Sequence, residues 1–386
     1  MKTTKRSAYL MILFAYFADG AMVLTVNTVM KSLLAAYQWS DGQGGLLVAC
    51  MSAGCLVASL VGNTLMERLG RSRMLTLLGG MMLGCIGLFS LSPWPVTFYP
   101  LLFLAGLVWG GINSLANTVV NELYDGDASR LNVMHACFAV GAVVFPLLVG
   151  FTTLHGGSWR IVPGIVAVLG AAVMLLARRI PLPEGAAPTA RKESTVTFWR
   201  EPRFYCLLLV LFTYVGCESS ASAWLSSYLS RSNAFFQAVP SETMVSLMWL
   251  LMIVGRLSFA ALGTRIPKGV LLVGESVAFL LGMLGIITLA GSTPAAIASV
   301  GFMGLGMSAV YGTAVASAAR YVSCSALSAE LLFAAGGLGS TVIPALAGGI
   351  SDQAGLQVGM LALCGFLAVL ILAAAANLVL EKRERS

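Results

Sequence analysis

The sequence predicts an all-α membrane protein: twelve transmembrane helices in two pseudo-symmetric six-helix halves. Three observations predict it. Of 386 residues, 58% are hydrophobic and 10% charged, with a mean hydropathy of +0.88, whereas soluble domains carry about 25% charged residues. Apolar runs close to the roughly 20 residues that cross a bilayer recur twelve times between charged or Pro/Gly-rich breaks. Parts of the second half also repeat the first at an offset near 198.

Taken in order, the expected spans are 9–34, 44–65, 74–91, 96–120, 131–153 and 161–176, then 204–229, 244–262, 270–289, 295–319, 326–350 and 356–380. Residues 178–203, with four prolines, six basic residues and three acids, form the one real linker. The expected organisation is therefore 1–178, a cytoplasmic linker 179–203, and 204–386. The basic start ahead of the first apolar run imitates a signal peptide. That run is too long for one and offers no small-residue cleavage site, so it reads as a retained helix. The repeat shows best in spans 5 and 11, where Gly141, Pro146 and Gly150 return as Gly339, Pro344 and Gly348. Gly106 matches Gly304, Tyr16 matches Tyr214, and Arg68 and Arg71 find weaker echoes in Arg265 and Lys268. Eight scattered cysteines, with no CxxC or Cys/His cluster, predict neither a zinc site nor a disulfide framework. No metal or cofactor is expected.

The net charge of +7 is unevenly placed. All but four of the 23 Lys and Arg fall in the N-terminus, the even-numbered connections or the C-terminus. Lys31, Arg160 and Arg231 lie on the opposite side, and Arg256 lies inside a span. This positive-inside asymmetry places both termini in the cytoplasm. It points to a bilayer with anionic lipid as the partner, in a bacterial-type inner membrane, and not to nucleic acid. The densest charge is at 62–73, with Glu67, Arg68, Arg71 and Arg73 around Gly70. A charged group costs roughly 2.5–3.5 kcal/mol at a helix centre, so this stretch is expected as a tight turn on the water side.

Gly62, then Glu67-Arg68 five residues on, then Gly70-Arg71, resembles the loop-2/3 signature of the major facilitator superfamily. The resemblance implies that Glu67, Arg68 and Arg71 gate the inner helix ends. It also implies a substrate site at the bilayer midplane between two six-helix halves. A basic juxtamembrane turn, common to polytopic proteins, is the plainer alternative.

Ionisable residues within spans are candidate functional groups. Asp19 on span 1 and Glu218 on span 7 stand one residue from repeat equivalence. Both suit proton coupling or substrate binding, since a carboxyl withdrawn from water exchanges a proton near neutral pH; a structural hydrogen bond is the alternative. His135 on span 5 is a third candidate, because an imidazole titrates in that range. Span 4 carries Trp109, Asn113, Asn117 and Asn121 at i+4 steps. An indole platform with amides, which both donate and accept, suits a neutral hydroxylated ligand, while amide packing between helices is the competing reading. Asn121 and Glu122, near the inner end, read as structural. Asn27, Trp224, Trp249 and Tyr311 complete the expected cavity lining. Arg256 requires carboxylate partners, for which Glu275 and Glu330 stand ready, so that trio reads as a gate or structural network. Glu218 and Trp224 point about 120° apart on a straight helix, so both line one cavity only if span 7 bends or unwinds, which Gly216 and the serines around it permit.

The run from Leu131-Asn132 to Pro146, with Tyr214 to Glu218, Trp224 and Tyr228, resembles the fucose and hexose–proton symporter branch of that superfamily. The chain departs from the branch at Asn113, where a buried glutamate is found on the fourth helix. Proton coupling then falls to Asp19, Glu218 or His135. Enzyme motifs such as HExxH, GxSxG or a phosphate loop are absent. The reading is a monomeric secondary transporter working by alternating access, coupled to protons or sodium, and importing a sugar-like small molecule. Proton-driven efflux of drugs or amphiphilic cations is the alternative.

Overall fold

The computed structural model describes residues 5–124, 128–183, 198–262, 266–324 and 326–385. Among these, every regular element is helical: α1 (Lys5–Tyr37), α2 (Asp41–Leu69), α3 (Arg71–Leu91), α4 (Phe98–Leu123), α5 (Ala128–Leu154), α6 (Ile161–Arg179) and α7 (Pro202–Ser232). A short α8 (Phe235–Ala238) precedes α9 (Glu242–Leu262), α10 (Lys268–Leu289), α11 (Thr293–Gly306), α12 (Val310–Ser317), α13 (Ala319–Cys324), α14 (Ala326–Ala354) and α15 (Leu356–Arg385). Twelve stretches are long and apolar enough to cross a membrane, with α11 and α12 together making one of them.

The chain groups into two compact units: Met1–Gln38 with Cys50–Thr189, and Trp39–Ala49 with Ala190–Ser386. In the first unit α1 packs on α5 and α3 on α6; in the second, α7 packs on α14 and α10 on α11. The repeated glycines explain how these helices approach. A Cβ on Gly106 would lie 1.9 Å from the Met51 carbonyl oxygen, and one on Gly304 would lie 2.4 Å from that of Met248. In both units this joins the fourth span to the second. A Cβ on Gly141 would lie 2.5 Å from the Phe17 oxygen, and one on Gly339 would lie 1.8 Å from that of Phe212. That joins the fifth span to the first. The sequence repeat is thus a repeat of helix contacts in which backbones touch where no side chain fits.

Three expectations need correction. The tight turn expected over the charged stretch 62–73 narrows to a single residue. α2 stays helical to Leu69, α3 begins at Arg71, and only Gly70 breaks the run, with φ of 79°. The 29 residues of α2 extend about 43 Å at 1.5 Å per residue, beyond a hydrocarbon layer of about 30 Å. Glu67 and Arg68 therefore ride on a helical turn outside the apolar layer. α7 is one uninterrupted helix over Pro202–Ser232, so the unwinding expected there does not occur. Span 10 is instead the broken one: α11 ends at Gly306 and α12 starts at Val310. At 14 residues, α11 covers only about 21 Å, so the break at 307–309 lies within the membrane.

Replacing Gly339 by alanine forces α7 and α14 apart. We expect Gly339→Ala to lower thermal stability by about 1–3 kcal/mol, the usual cost of overpacking. Gly365→Ala, where nothing lies within 4 Å of the added carbon, leaves stability unchanged or slightly raised. Equal melting temperatures for the two variants would contradict the backbone contact.

Candidate functional site

Helix α1 brings a polar series into the first unit. Asp19 is fully buried, and neither carboxylate oxygen has a hydrogen-bond partner. The Cys55 thiol on α2 lies within its electrostatic reach. The Thr25 and Thr28 hydroxyls, further along α1, are also buried without side-chain bonds, and Asn27 is buried beside them in sequence. Tyr16 meets His135 of α5 at 3.3 Å from Nδ1, its ring standing edge-on to the imidazole. On α4, Asn117 Nδ2 donates to the Asn113 side-chain oxygen at 2.8 Å and to its carbonyl at 2.9 Å. The two amides form a ladder one turn from Trp109, and all three side chains are half-buried.

In the second unit, the break in span 10 collects side chains from three other helices. Broken helix leaves carbonyl and amide groups without ladder partners, and in hydrocarbon these must be met from elsewhere. Tyr214 of α7 donates its hydroxyl to the Met307 carbonyl at 2.8 Å. Arg256 of α9 donates Nε–H to the Ser308 carbonyl at 3.0 Å. Glu275 of α10 accepts the Ala309 amide at 3.1 Å and lies 3.0 Å from the Ser308 hydroxyl. Gly255 lets α9 come this close, since a Cβ there would lie 2.5 Å from Ser308 Cβ. Glu218, half-buried, interacts with Tyr214 and with the Arg256 charge.

Arg256 therefore engages the broken backbone directly, and among the described residues no carboxylate lies within ion-pair distance of it. Glu275 and Glu218 both act on the same cluster electrostatically. The Glu330 side chain lies outside the described residues. On the unbroken α7, Glu218 and Trp224 do not share a face. Trp224 is buried, with its indole N–H lacking a hydrogen-bond partner, alongside the unpartnered hydroxyls of Ser222 and Ser227. Trp249 is buried on α9, whereas Tyr311 opens α12 and is 36% exposed.

Of the charged residues at the α2–α3 junction, Arg71 is the buried one. It donates to Glu122 at 2.6 Å and to the Pro183 carbonyl at 3.0 Å. Glu122 thus takes part in an ion pair at the end of α4, while Glu67 and Arg68 are exposed. A second clasp, absent from the sequence reading, holds the head of α2. Asp41 takes a bidentate pair from Arg231 at 2.7 and 2.8 Å. Asp352 of α14 accepts the Gly42 amide and the Ser40 hydroxyl, each at 2.8 Å. The Ser-Asp-Gly start of α2 was the available signal, being a common helix opening. Its partners lie 190 or more residues away and could not be read from spacing.

The family model described as Major Facilitator Superfamily matches residues 12–329. Among curated relatives, Bypass of stop codon protein 6 of Saccharomyces cerevisiae is 23% identical over 90% of this chain and 77% of its own length. The cis,cis-muconate transport protein of Acinetobacter baylyi is 28% identical over 43% of this chain and 42% of its own length. The glucose/mannose transporter GlcP of Bacillus subtilis is 24% identical over 37% of this chain and 36% of its own length. A crystal structure of the nucleoside transporter NupG, in mutant form, covers 96% of this chain and 99% of that one, with a TM-score of 0.77 at 12% identity. That likeness carries the fold, and the family match covers most of the sequence. The chain belongs to the major facilitator superfamily and is a multi-pass membrane transporter, not an enzyme.

Proposed function

We propose that this transporter couples proton movement to uptake of a small, neutral, sugar-like solute by alternating access. The observation that carries the reading is Asp19, a fully buried carboxyl with no hydrogen-bond partner on either oxygen. An uncompensated carboxylate in such a place is expensive. Asp19 is stable there as the neutral acid and ionises only when water or a ligand reaches it, which is the behaviour a coupling residue needs. Glu218 and His135 are the other groups assigned to coupling or ligand contact. Sodium could serve in place of the proton only by supplying the counter-charge that Asp19 lacks.

The amide ladder of Asn113 and Asn117 below Trp109 supports a hydroxylated ligand, because amides match hydroxyls as donors and acceptors. Asn27, Trp224, Trp249 and Tyr311 are assigned to the same ligand. GlcP, a glucose/mannose transporter by name, supports a sugar. The muconate relative points instead to a dicarboxylate. The half-buried Arg256 donates Nε–H to a backbone carbonyl, which weakens that alternative for this chain. Glu67, Arg68 and Arg71 are assigned to the inner gate, with Arg256, Glu275 and Glu330 supporting it from the second unit. Glu67 and Arg68 are exposed and so are open to pairing in another conformational state. The charge asymmetry of the connections supports cytoplasmic termini and an inner-membrane location, for a protein acting as a monomer.

In proteoliposomes under an imposed proton gradient, Asp19→Asn should abolish solute accumulation yet retain exchange of solute across the membrane. Accumulation equal to wild type would remove Asp19 from the mechanism. A thermal-shift panel of purified protein against hexoses, nucleosides, dicarboxylates and lipophilic cations identifies the ligand class. Stabilisation by hexoses is expected, whereas stabilisation by lipophilic cations alone would replace uptake with drug efflux.

A further inference from the structure

We infer that a cavity between α3 and α6, at the helix ends that the charge asymmetry assigns to the cytoplasm, binds the headgroup of an anionic phospholipid. The inference concerns the first unit alone and does not depend on the solute or on proton coupling.

Helix length sets the depth of the cavity. α3 has 21 residues and α6 has 19, which at 1.5 Å per residue gives about 31 and 28 Å. Each therefore just crosses a hydrocarbon layer of about 30 Å. A Cβ on Gly79 would lie 2.6 Å from the Met174 amide nitrogen, and one on Gly170 would lie 2.7 Å from that of Leu83. This register is antiparallel, so the first turn of α3 and the last turn of α6 share one edge of the layer. Carried toward that edge, it sets Thr76 level with Ala177, with Arg73 and Arg178 beyond them. These four residues line a cavity of about 440 Å³, a size typical of ligand pockets, which run from about 300 to 1,000 Å³. The chain after α6 turns back over the start of α3. The Leu182 amide donates to Ser72 Oγ at 2.6 Å, and Arg71 donates to the Pro183 carbonyl at 3.0 Å.

The lining suits one ligand chemistry. Arg73 and Arg178 are both exposed, and neither forms an ion pair among the described residues. Arg71, by contrast, is taken by Glu122. No acidic residue lines the cavity. Ser72, also in the lining, accepts the Leu182 amide, while its own hydroxyl proton has no acceptor among the described residues. Two guanidinium groups and a hydroxyl together offer charge-assisted hydrogen bonds to phosphate oxygens. The rest of the wall is apolar, from Leu69, Leu77, Ala177 and Pro181. Leu77 is 58% exposed and continues that wall onto the outer face of α3. A phosphate carrying acyl chains meets both kinds of wall, whereas a free phosphate meets only the polar one. Basic pockets between helices at the cytoplasmic edge are suited to anionic headgroups for this reason. Leu69 also ends α2 beside Gly70, the one residue separating α2 from α3. A lipid in the cavity therefore rests against that junction.

Native mass spectrometry of the purified full-length protein, titrated with phosphatidylglycerol, tests the site. One tightly held phosphatidylglycerol is expected on the wild type. The double variant Arg73→Gln/Arg178→Gln should hold it about thirtyfold more weakly, the effect of removing two near-surface cations. Arg73→Lys/Arg178→Lys keeps the charge and should retain most of the binding. Arg6→Gln/Arg200→Gln removes two exposed cations that do not line the cavity and should bind as the wild type does. Neither phosphatidylcholine nor inorganic phosphate at equal concentration should displace the lipid. Unchanged binding in the first variant, or equal loss in both glutamine variants, would overturn the site in favour of diffuse attraction to a basic surface. Displacement by inorganic phosphate would overturn the lipid assignment in favour of a free anion.

Discussion

The structure depends on one constraint: inside hydrocarbon, every backbone and side-chain polar group must find its partner within the protein. Helices satisfy their own backbone, which is why the described chain contains no other regular element. Where span 10 abandons the helix at 307–309, three side chains from three other spans replace the missing bonds. A break without them would strand carbonyls and an amide at a cost of about 1–3 kcal/mol each. Arg256, Glu275 and Tyr214 are thus structural before they are anything else.

Asp19 follows the same constraint from the other side. It is a carboxyl that the protein buries with neither oxygen satisfied. Unsatisfied buried groups are rare in native proteins, and each calls for an explanation. Here a proton on the acid is the cheapest remedy, and in the proposed mechanism its loss when the site is wetted links the residue to transport. Close helix packing makes such a dry site possible. Backbone contacts at Gly141 and Gly339 draw the first and fifth spans of each unit together.

Much of the architecture was legible in the sequence because bilayer thickness turns span assignment into counting. The repeat at Gly106/Gly304 and Gly141/Gly339 was legible as well, since only glycine permits those contacts. The break was not. Met307-Ser308-Ala309 is as apolar as its surroundings, and the residues that stabilise the break stand 93, 52 and 34 positions away. The expectation of an unwound span 7 placed the irregularity in the wrong helix, because the serines near Glu218 read as breakers. Several of them instead sit buried on an intact helix. Similarly, the turn expected over 62–73 is narrower than its charge suggested, because charge density marks the end of hydrocarbon, not the end of a helix.

The central claim is that buried carboxyls are present to carry protons together with a solute. Its most direct test is the external pH of weakly buffered proteoliposomes when the solute selected by thermal stabilisation is added outside. The account predicts a rise in external pH as protons enter with the solute. Solute entry with no movement of protons would contradict it.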